Sequence, residues 1–473
     1  MQEKLCDNNV QELTKKLLIN RKHGCPQISK EQRKDANEYS EGYKQFMNSA
    51  KTEREVVVYA VEKIREAGFT SYEPGKKYQP GDRVYSVNRG KAILLAVIGR
   101  NGCRNGVHIA ASHIDSPRLD LKPHPLFEKD GMSFFKTHYY GGIKKYQWTA
   151  IPLAMHGRIF RKDGSCVDIR IGEKAGEPQF CVTDLLPHLA DKQMEKSMED
   201  GIDAEKLSIV IGSWPISEAG ESDSDCSMIK LNVMRLLYET YGITEEDFVS
   251  ADIEFVPAFQ TADVGFDRSM IGGYAQDDRV CAYPELTAIL ATKIPEKTAV
   301  AVLADREEIG SDGNTGLNSR FLSDFIADLA QAEGLELRHV LAKSQCLSAD
   351  VAAAYDPNYS EVFEANNSCY LNGGIGVEKY TGGKGKSRTS EATAEFISEL
   401  RQLFERNGVL WQMGENGKID AGGSGTVAKF IAALNVDVID IGVPVLSMHS
   451  PFELVSKLDL LMTYRGICAF FQD

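Results

Sequence analysis

Apolar and polar positions fall into three textures along the chain. The first 51 residues are mostly polar and are expected to be helical in pieces, with a break at Gly24-Cys25-Pro26. Thr52-Glu53-Arg54-Glu55 then has the form of a capping box, in which the Thr hydroxyl and the Glu carboxylate each cover a free backbone N–H. Val57, Ala60, Val61 and Ile64 repeat at helical spacing behind it, and Gly68 ends the helix. Residues 83–87, 92–98 and 106–112 read as short strands, punctuated by Pro80-Gly81 and Asn88-Arg89-Gly90. From about residue 123 to 250, alternating segments at 167–171 and 207–211 sit among Gly-rich turns. That region also carries a charged stretch at 191–205 and a helix at 228–241 closed by Gly242. After residue 252, runs near 298–304, 338–341 and 436–441 read as strands alternating with helices. Such alternation implies a mixed or parallel sheet whose ligands gather at strand ends. The expected fold is α/β: a discontinuous unit of residues 1–122 and 252–473 with a mixed β-sheet flanked by helices, interrupted by an inserted β-rich unit at 123–251.

Composition narrows the picture. A length of 473 residues exceeds one ordinary core, which agrees with two units. With 68 acidic against 54 basic residues, the net charge of −14 argues against nucleic acid or an anionic membrane as a main partner. The longest apolar run, residues 92–98, is strand-sized, so no segment is expected to span a bilayer. Residues 1–16 are charged and lack the apolar core of an export signal. Ten cysteines are scattered without a Cys-x-x-Cys pair, as expected of reduced thiols. These features point to a cytoplasmic protein in which any metal is held by imidazole and carboxylate.

Five places share one form, an apolar run ending in a ligand-type residue beside Gly, Pro or Ser. They are His113 with Asp115, Asp277-Asp278, Glu307-Glu308, Asp350 and His449. Taken singly, a His after a strand is commonly a hydrogen-bonded structural residue and an Asp in a turn is a cap. Two neighbouring glutamates repel each other, so a fold gains nothing from aiming both at one pocket unless a cation waits there. The series His, Asp, Glu-Glu, Asp, His, read as the ends of successive strands of one sheet, suits two borderline metal ions with positions left for water and substrate.

The chain resembles the aspartyl aminopeptidase / aminopeptidase I family of co-catalytic zinc metallopeptidases. The motifs are Ser112-His113-Ile114-Asp115-Ser116-Pro117, Tyr140-Gly141-Gly142-Ile143, Gln276-Asp277-Asp278-Arg279, Glu307-Glu308-Ile309-Gly310-Ser311, Ser348-Ala349-Asp350 and Ser447-Met448-His449-Ser450. The resemblance implies a catalytic domain split around a β-rich dimerisation domain, and a tetrahedral dodecamer of subunits. It implies two zinc ions per subunit, with cobalt or manganese as alternatives. Asp277 is then the bridging ligand, with His113 and Asp350 on one ion and Glu308 and His449 on the other. Glu307 is the general base acting on metal-activated water, and Asp115 orients His113 or Asp277. Asp278 stays outside the ligand set, as a cap or a partner of Arg279. His188 is similar to a family histidine that reaches a neighbouring subunit's site, with an ordinary surface histidine as the alternative. Lys379 aligns loosely with a lysine that receives an acidic substrate side chain. The Gly/Lys-rich stretch that follows Lys379 departs from the aspartyl-type pattern, and at residues 382–387 it lacks the spacing of a phosphate loop. The implied function is hydrolysis of the N-terminal residue from peptides. A related carboxypeptidase or deacylase, and a non-catalytic oligomeric scaffold, are the competing readings.

Overall fold

The computed structural model describes residues 10–18, 28–216, 227–423 and 425–473, so the Gly24-Cys25-Pro26 break lies outside the described residues. The capping box forms as the sequence predicts. Thr52 Oγ1 accepts the Glu55 N–H at 3.3 Å, and Glu55 Oε2 accepts the Thr52 N–H at 3.2 Å. The helix Glu53–Glu66 gives way to Gly68, whose φ of 81° other residues rarely adopt.

The most apolar runs occupy the middle of a nine-stranded sheet. Its order is Thr70–Ser71, Arg83–Asn88, Ala92–Val97, Thr298–Ala304, Val107–His113, Gln345–Ala349, Asp437–Gly442, Ile375–Glu378, Trp411–Gly414. The strands Thr298–Ala304, Val107–His113, Gln345–Ala349 and Asp437–Gly442 run parallel, so their C-terminal ends share one edge. Every residue of Thr298–Ala304 is buried, as a strand covered on both faces requires. Its alternate residues divide two cores. Ala299, Ala301 and Leu303 pack with the helices Gln276–Ala291 and Lys457–Gln472, whereas Val300, Val302 and Ala304 pack with Phe321–Ala332 and Ala428–Ala432.

A second sheet of seven antiparallel strands has the order Cys166–Ile171, Leu153–Phe160, Ala251–Pro257, Arg118–Lys129, Met132–Tyr140, Ser208–Gly212, Cys181–Val182. Its members Arg118–Lys129 and Ala251–Pro257, which pair with each other in the middle of the sheet, lie across the change of sequence texture at either end. A third, five-stranded sheet runs Ala262–Val264, Met270–Gly273, Glu453–Ser456, Pro444–Leu446, Ala352–Ala353.

One expected strand is a helix. Residues 338–341 belong to the helix Leu337–Leu341, and the strand of this region is the next apolar run, Gln345–Ala349. Val340 and Leu341 are buried with Leu337 partly so, a three- and four-residue spacing that places all three on the inner face of a helical turn.

Candidate metal centre

Three of the predicted ligand groups lie where the parallel strands end together. His113 ends Val107–His113, Glu307-Glu308 follow Thr298–Ala304, and Asp350 follows Gln345–Ala349. Asp277 and His449 come from elsewhere. Asp277 opens the helix Gln276–Ala291 just after Met270–Gly273, and His449 follows Pro444–Leu446, both strands of the five-stranded sheet. The expectation that all five groups end strands of one sheet is thus corrected. Strands of four and three residues are too short for their pattern to show which sheet they join. Left-handed non-glycine residues flank these groups: Ala275 (φ 65°), Arg306 (φ 70°), Ser447 (φ 60°) and His449 itself (φ 63°). Such backbone costs on the order of 1 kcal/mol each and persists where the surroundings hold it.

Asp277 sits between the two imidazoles. Its Oδ1 lies 3.1 Å from His113 Nε2 and its Oδ2 lies 3.1 Å from His449 Nε2. Asp350 stands 3.8 Å from His113 Nε2 on one side, and Glu308 stands 3.5 Å from His449 Nε2 on the other. Both rings are fixed by carbonyls. His113 Nδ1 lies 3.0 Å from the Asp115 carbonyl and His449 Nδ1 lies 2.8 Å from that of Gly142. A carbonyl only accepts, so each Nδ1 carries a proton, and each Nε2 is the nitrogen that faces Asp277 and would bind an ion once deprotonated.

Asp115 faces His113 directly, its Oδ1 lying 3.3 Å from the ring's Nδ1. Its Oδ1 accepts the Glu307 N–H at 3.1 Å, its Oδ2 accepts the Glu308 N–H at 3.2 Å, and Tyr140 donates its hydroxyl to Oδ2 at 2.8 Å. It therefore holds the Glu307-Glu308 turn as well as His113. Glu307 lies 4.0 Å from His113 with 18% of its side chain exposed. Asp350 (12%) and His449 (35%) are open on the same centre, whereas His113 is shut in at 1%, so a substrate has access from one side.

Two more carboxylates belong to the site: Asp278, which the sequence reading leaves outside the ligand set as a cap or a partner of Arg279, and Glu453, which it does not name. Asp278 is fully buried, accepts the His113 N–H at 3.3 Å, and lies with His113 and Asp350 in one possible ligand triad; His113, Asp277 and Glu308 form the other. Glu453 accepts the backbone N–H of Gln276 (2.6 Å), Asp277 (3.2 Å) and His449 (2.8 Å), tying the two distant ligands together. A carboxylate at the head of the buried strand Glu453–Ser456 is the signal that could have found it.

The electrostatics reflect carboxyls crowded around two imidazoles. Burial pushes Glu307 up to about 8, with Asp350, Asp115 and Asp277 adding to the rise and His113 opposing it. Burial also raises Glu308, and Asp277 adds to that. Burial works against protonation of His449, but Asp277 and Glu308 outweigh it and hold it at about 11. Asp277 is held well below the usual carboxylate range by His113 and His449 despite its burial. Glu308 Oε1 and Asp278 Oδ1 are buried without a hydrogen-bond partner among the described residues. Imidazole and carboxylate donors converging with unpartnered oxygens fit a divalent cation such as zinc.

The other two predicted residues lie apart from this cluster. His188 is in the exposed turn Pro187–Leu189, and Lys379 is paired with Glu391 at 3.5 Å.

A family model described as Aminopeptidase I zinc metalloprotease (M18) matches residues 46–471. A probable M18 family aminopeptidase 1 of Clostridium acetobutylicum is 44% identical over 465 residues, covering 97% of this chain and 99% of that one. The crystal structure of an M18 family aminopeptidase from Thermotoga maritima superposes with a TM-score of 0.90 at 42% identity, covering 96% of this chain and 99% of that one. A yeast (S. cerevisiae) mApe1 dodecamer shares the fold, with a TM-score of 0.75 at 20% identity over 92% of this chain and 97% of that one. The chain belongs to the aminopeptidase I zinc metalloprotease (M18) family and is a metalloaminopeptidase.

Proposed function

We propose that the centre holds two zinc ions and that the enzyme removes single N-terminal residues from peptides, with Glu307 as general base. The observation that carries this reading is Asp277, whose two oxygens each face a different imidazole at 3.1 Å. His113 and Asp350 would complete the binding of one ion, and Glu308 and His449 that of the other. Bound zinc supplies Lewis acidity, lowering the pKa of water and polarising the scissile carbonyl, and the same donors suit cobalt or manganese. Glu307 stands on the open side, takes a proton from the attacking water and delivers it to the leaving amine. Asp115 keeps Glu307 and Glu308 in place through their backbone N–H groups. A carboxylate-rich pocket suits the free α-amine of a substrate, which favours an N-terminal cutter over a carboxypeptidase or a deacylase.

The rest of the chain is assigned on this basis. Residues 1–122 and 252–473 form the catalytic domain and residues 123–251 the dimerisation domain. The chain self-associates, as a dimer or as a dodecamer like the yeast relative. His188 reaches a neighbouring subunit's site; it has Leu185, Leu186 and Leu189 exposed beside it, an apolar surface that a partner would cover. Lys379 receives a substrate side chain, acidic residues being taken only if Glu391 releases it. A cytoplasmic location agrees with the seven cysteines that are free among the described residues. No described helix is long and apolar enough to cross a membrane.

The deciding experiment is Glu307→Gln. We expect kcat to fall by about 10²–10⁴-fold with metal content unchanged at two ions per subunit. Substantial remaining activity would remove Glu307 from the role of base. Cleavage of amino-acyl anilides but not of N-blocked peptides separates the aminopeptidase from its hydrolase competitors, and inactivity with zinc, cobalt and manganese alike would revive the scaffold.

A further inference from the structure

The strand Met132–Tyr140 of the seven-stranded sheet runs out into Gly141 and Gly142, and three consecutive residues there each meet a different residue of the centre. Tyr140 donates its hydroxyl to Asp115 Oδ2 at 2.8 Å, the carboxylate that also anchors the Glu307-Glu308 turn. A Cβ on Gly141 would come within 3.2 Å of Glu308 Oε2, and its φ of +75° further disfavours any other residue. The Gly142 carbonyl accepts the proton of His449 Nδ1 at 2.8 Å, and a Cβ there would meet that nitrogen at 3.3 Å.

The segment is held from behind. Arg118, its register partner across the hairpin, places its guanidinium carbon 3.9 Å from the centroid of the Tyr140 ring. That guanidinium is itself buried in ion pairs with Asp120 (2.7 Å), Glu254 (3.2 Å) and Glu53 (3.6 Å). Glu53 belongs to the helix Glu53–Glu66, so the tyrosine is braced against both the second sheet and the first capped helix.

We propose that Tyr140-Gly141-Gly142 is a clamp by which the seven-stranded sheet, which offers no ligand, positions the Glu308–His449 half of the zinc centre. The inference rests on the two-ion reading above. Tyr140 and Gly142 act here as positioning residues: one steadies Glu308 through Asp115, and the other sets the tautomer and angle of His449.

The test uses full-length Tyr140→Phe, which keeps the ring over Arg118 but loses the donor, and Gly142→Ala, which presses on His449 without a left-handed backbone to strain. Metal-free protein is titrated with zinc against a competing chelator, and with cobalt while its visible bands are followed. Gly142→Ala should weaken one of the two ions by about 10–100-fold and change the cobalt bands of that ion alone; Tyr140→Phe, which acts through Asp115, should weaken the same ion more than the other; and both should lower kcat more than they alter KM. The melting temperature of metal-free protein should stay that of wild type. Wild-type affinity and cobalt bands in both variants would overturn the proposal. So would equal weakening of both ions together with a drop in metal-free melting temperature, which is what a merely structural role produces. Wild-type protein that takes up a single ion would sink the two-ion reading instead, and the clamp is then judged by whether the same variants weaken that ion.

Discussion

His449 commits one ring nitrogen to the Gly142 carbonyl so that the other is free to face Asp277, 3.1 Å away. His113 does the same with the carbonyl of Asp115. In the proposed two-ion centre, residues of this kind would set the number of ions, so removal of one from each half should be separable. His449→Ala and Asp350→Ala are each expected to lower metal content from two ions to one per subunit, read by elemental analysis of dialysed protein. Retention of both ions by either variant would show that its side chain is no ligand. At this scale the sequence was informative where a ligand-type residue ended a buried run, as at His113, Glu308 and Asp350. It left Asp278 outside the ligand set, as a cap or a partner of Arg279, and was silent on Glu453. Their importance lies in burial beside residues far away in the chain, which local pattern does not encode.

Among the elements, the helix Glu53–Glu66 was fully legible because its cap is a local hydrogen-bonding device. Thr52→Ala should cost about 1 kcal/mol in chemical denaturation and leave kcat unchanged. Glu55→Ala should cost more, about 2 kcal/mol, because Glu55 Oε1 also lies 2.9 Å from the buried Nδ1 of His156 in the second sheet, which would lose its partner. Equal costs for the two variants would show that the contact with His156 adds nothing to the cap. The helix Leu337–Leu341 was misread as a strand, since five residues with three apolar side chains satisfy either period. Which of two neighbouring runs enters the sheet depends on what lies opposite. The run Gln345–Ala349 pairs on both sides, with Val107–His113 and Asp437–Gly442.

For the whole molecule, buried carboxyls outside the predicted ligand set contribute to the response to pH. Burial pushes both Glu285 and Asp459 up to about 8. Unfolded, such groups titrate near 4, so between about pH 4 and 8 the folded chain binds more protons than the unfolded one. Stability therefore falls as pH rises through that window, by about 1.4 kcal/mol per pH unit for each such group, and levels off above it. The melting temperature of metal-free protein should decline from about pH 5 to pH 8, and Asp459→Asn should flatten the decline. A melting temperature that rises through this range would refute the assignment. Light scattering of the native enzyme should give a mass well above the 52.3 kDa of one chain, and a monomer would end the proposal that His188 serves a neighbour.

The sequence by itself determined the α/β class, the family, and the residue types offered to a metal, because each of these is written in local runs and short motifs. Only the tertiary structure decided how the ligands are grouped. It places Asp277 between two imidazoles, draws two of the five groups from a separate small sheet, and brings the end of the strand Met132–Tyr140 against Asp115, Glu308 and His449. The physical reason is that periodicity records which face of an element is buried, whereas the partner across that face is chosen by packing and pairing between segments hundreds of residues apart.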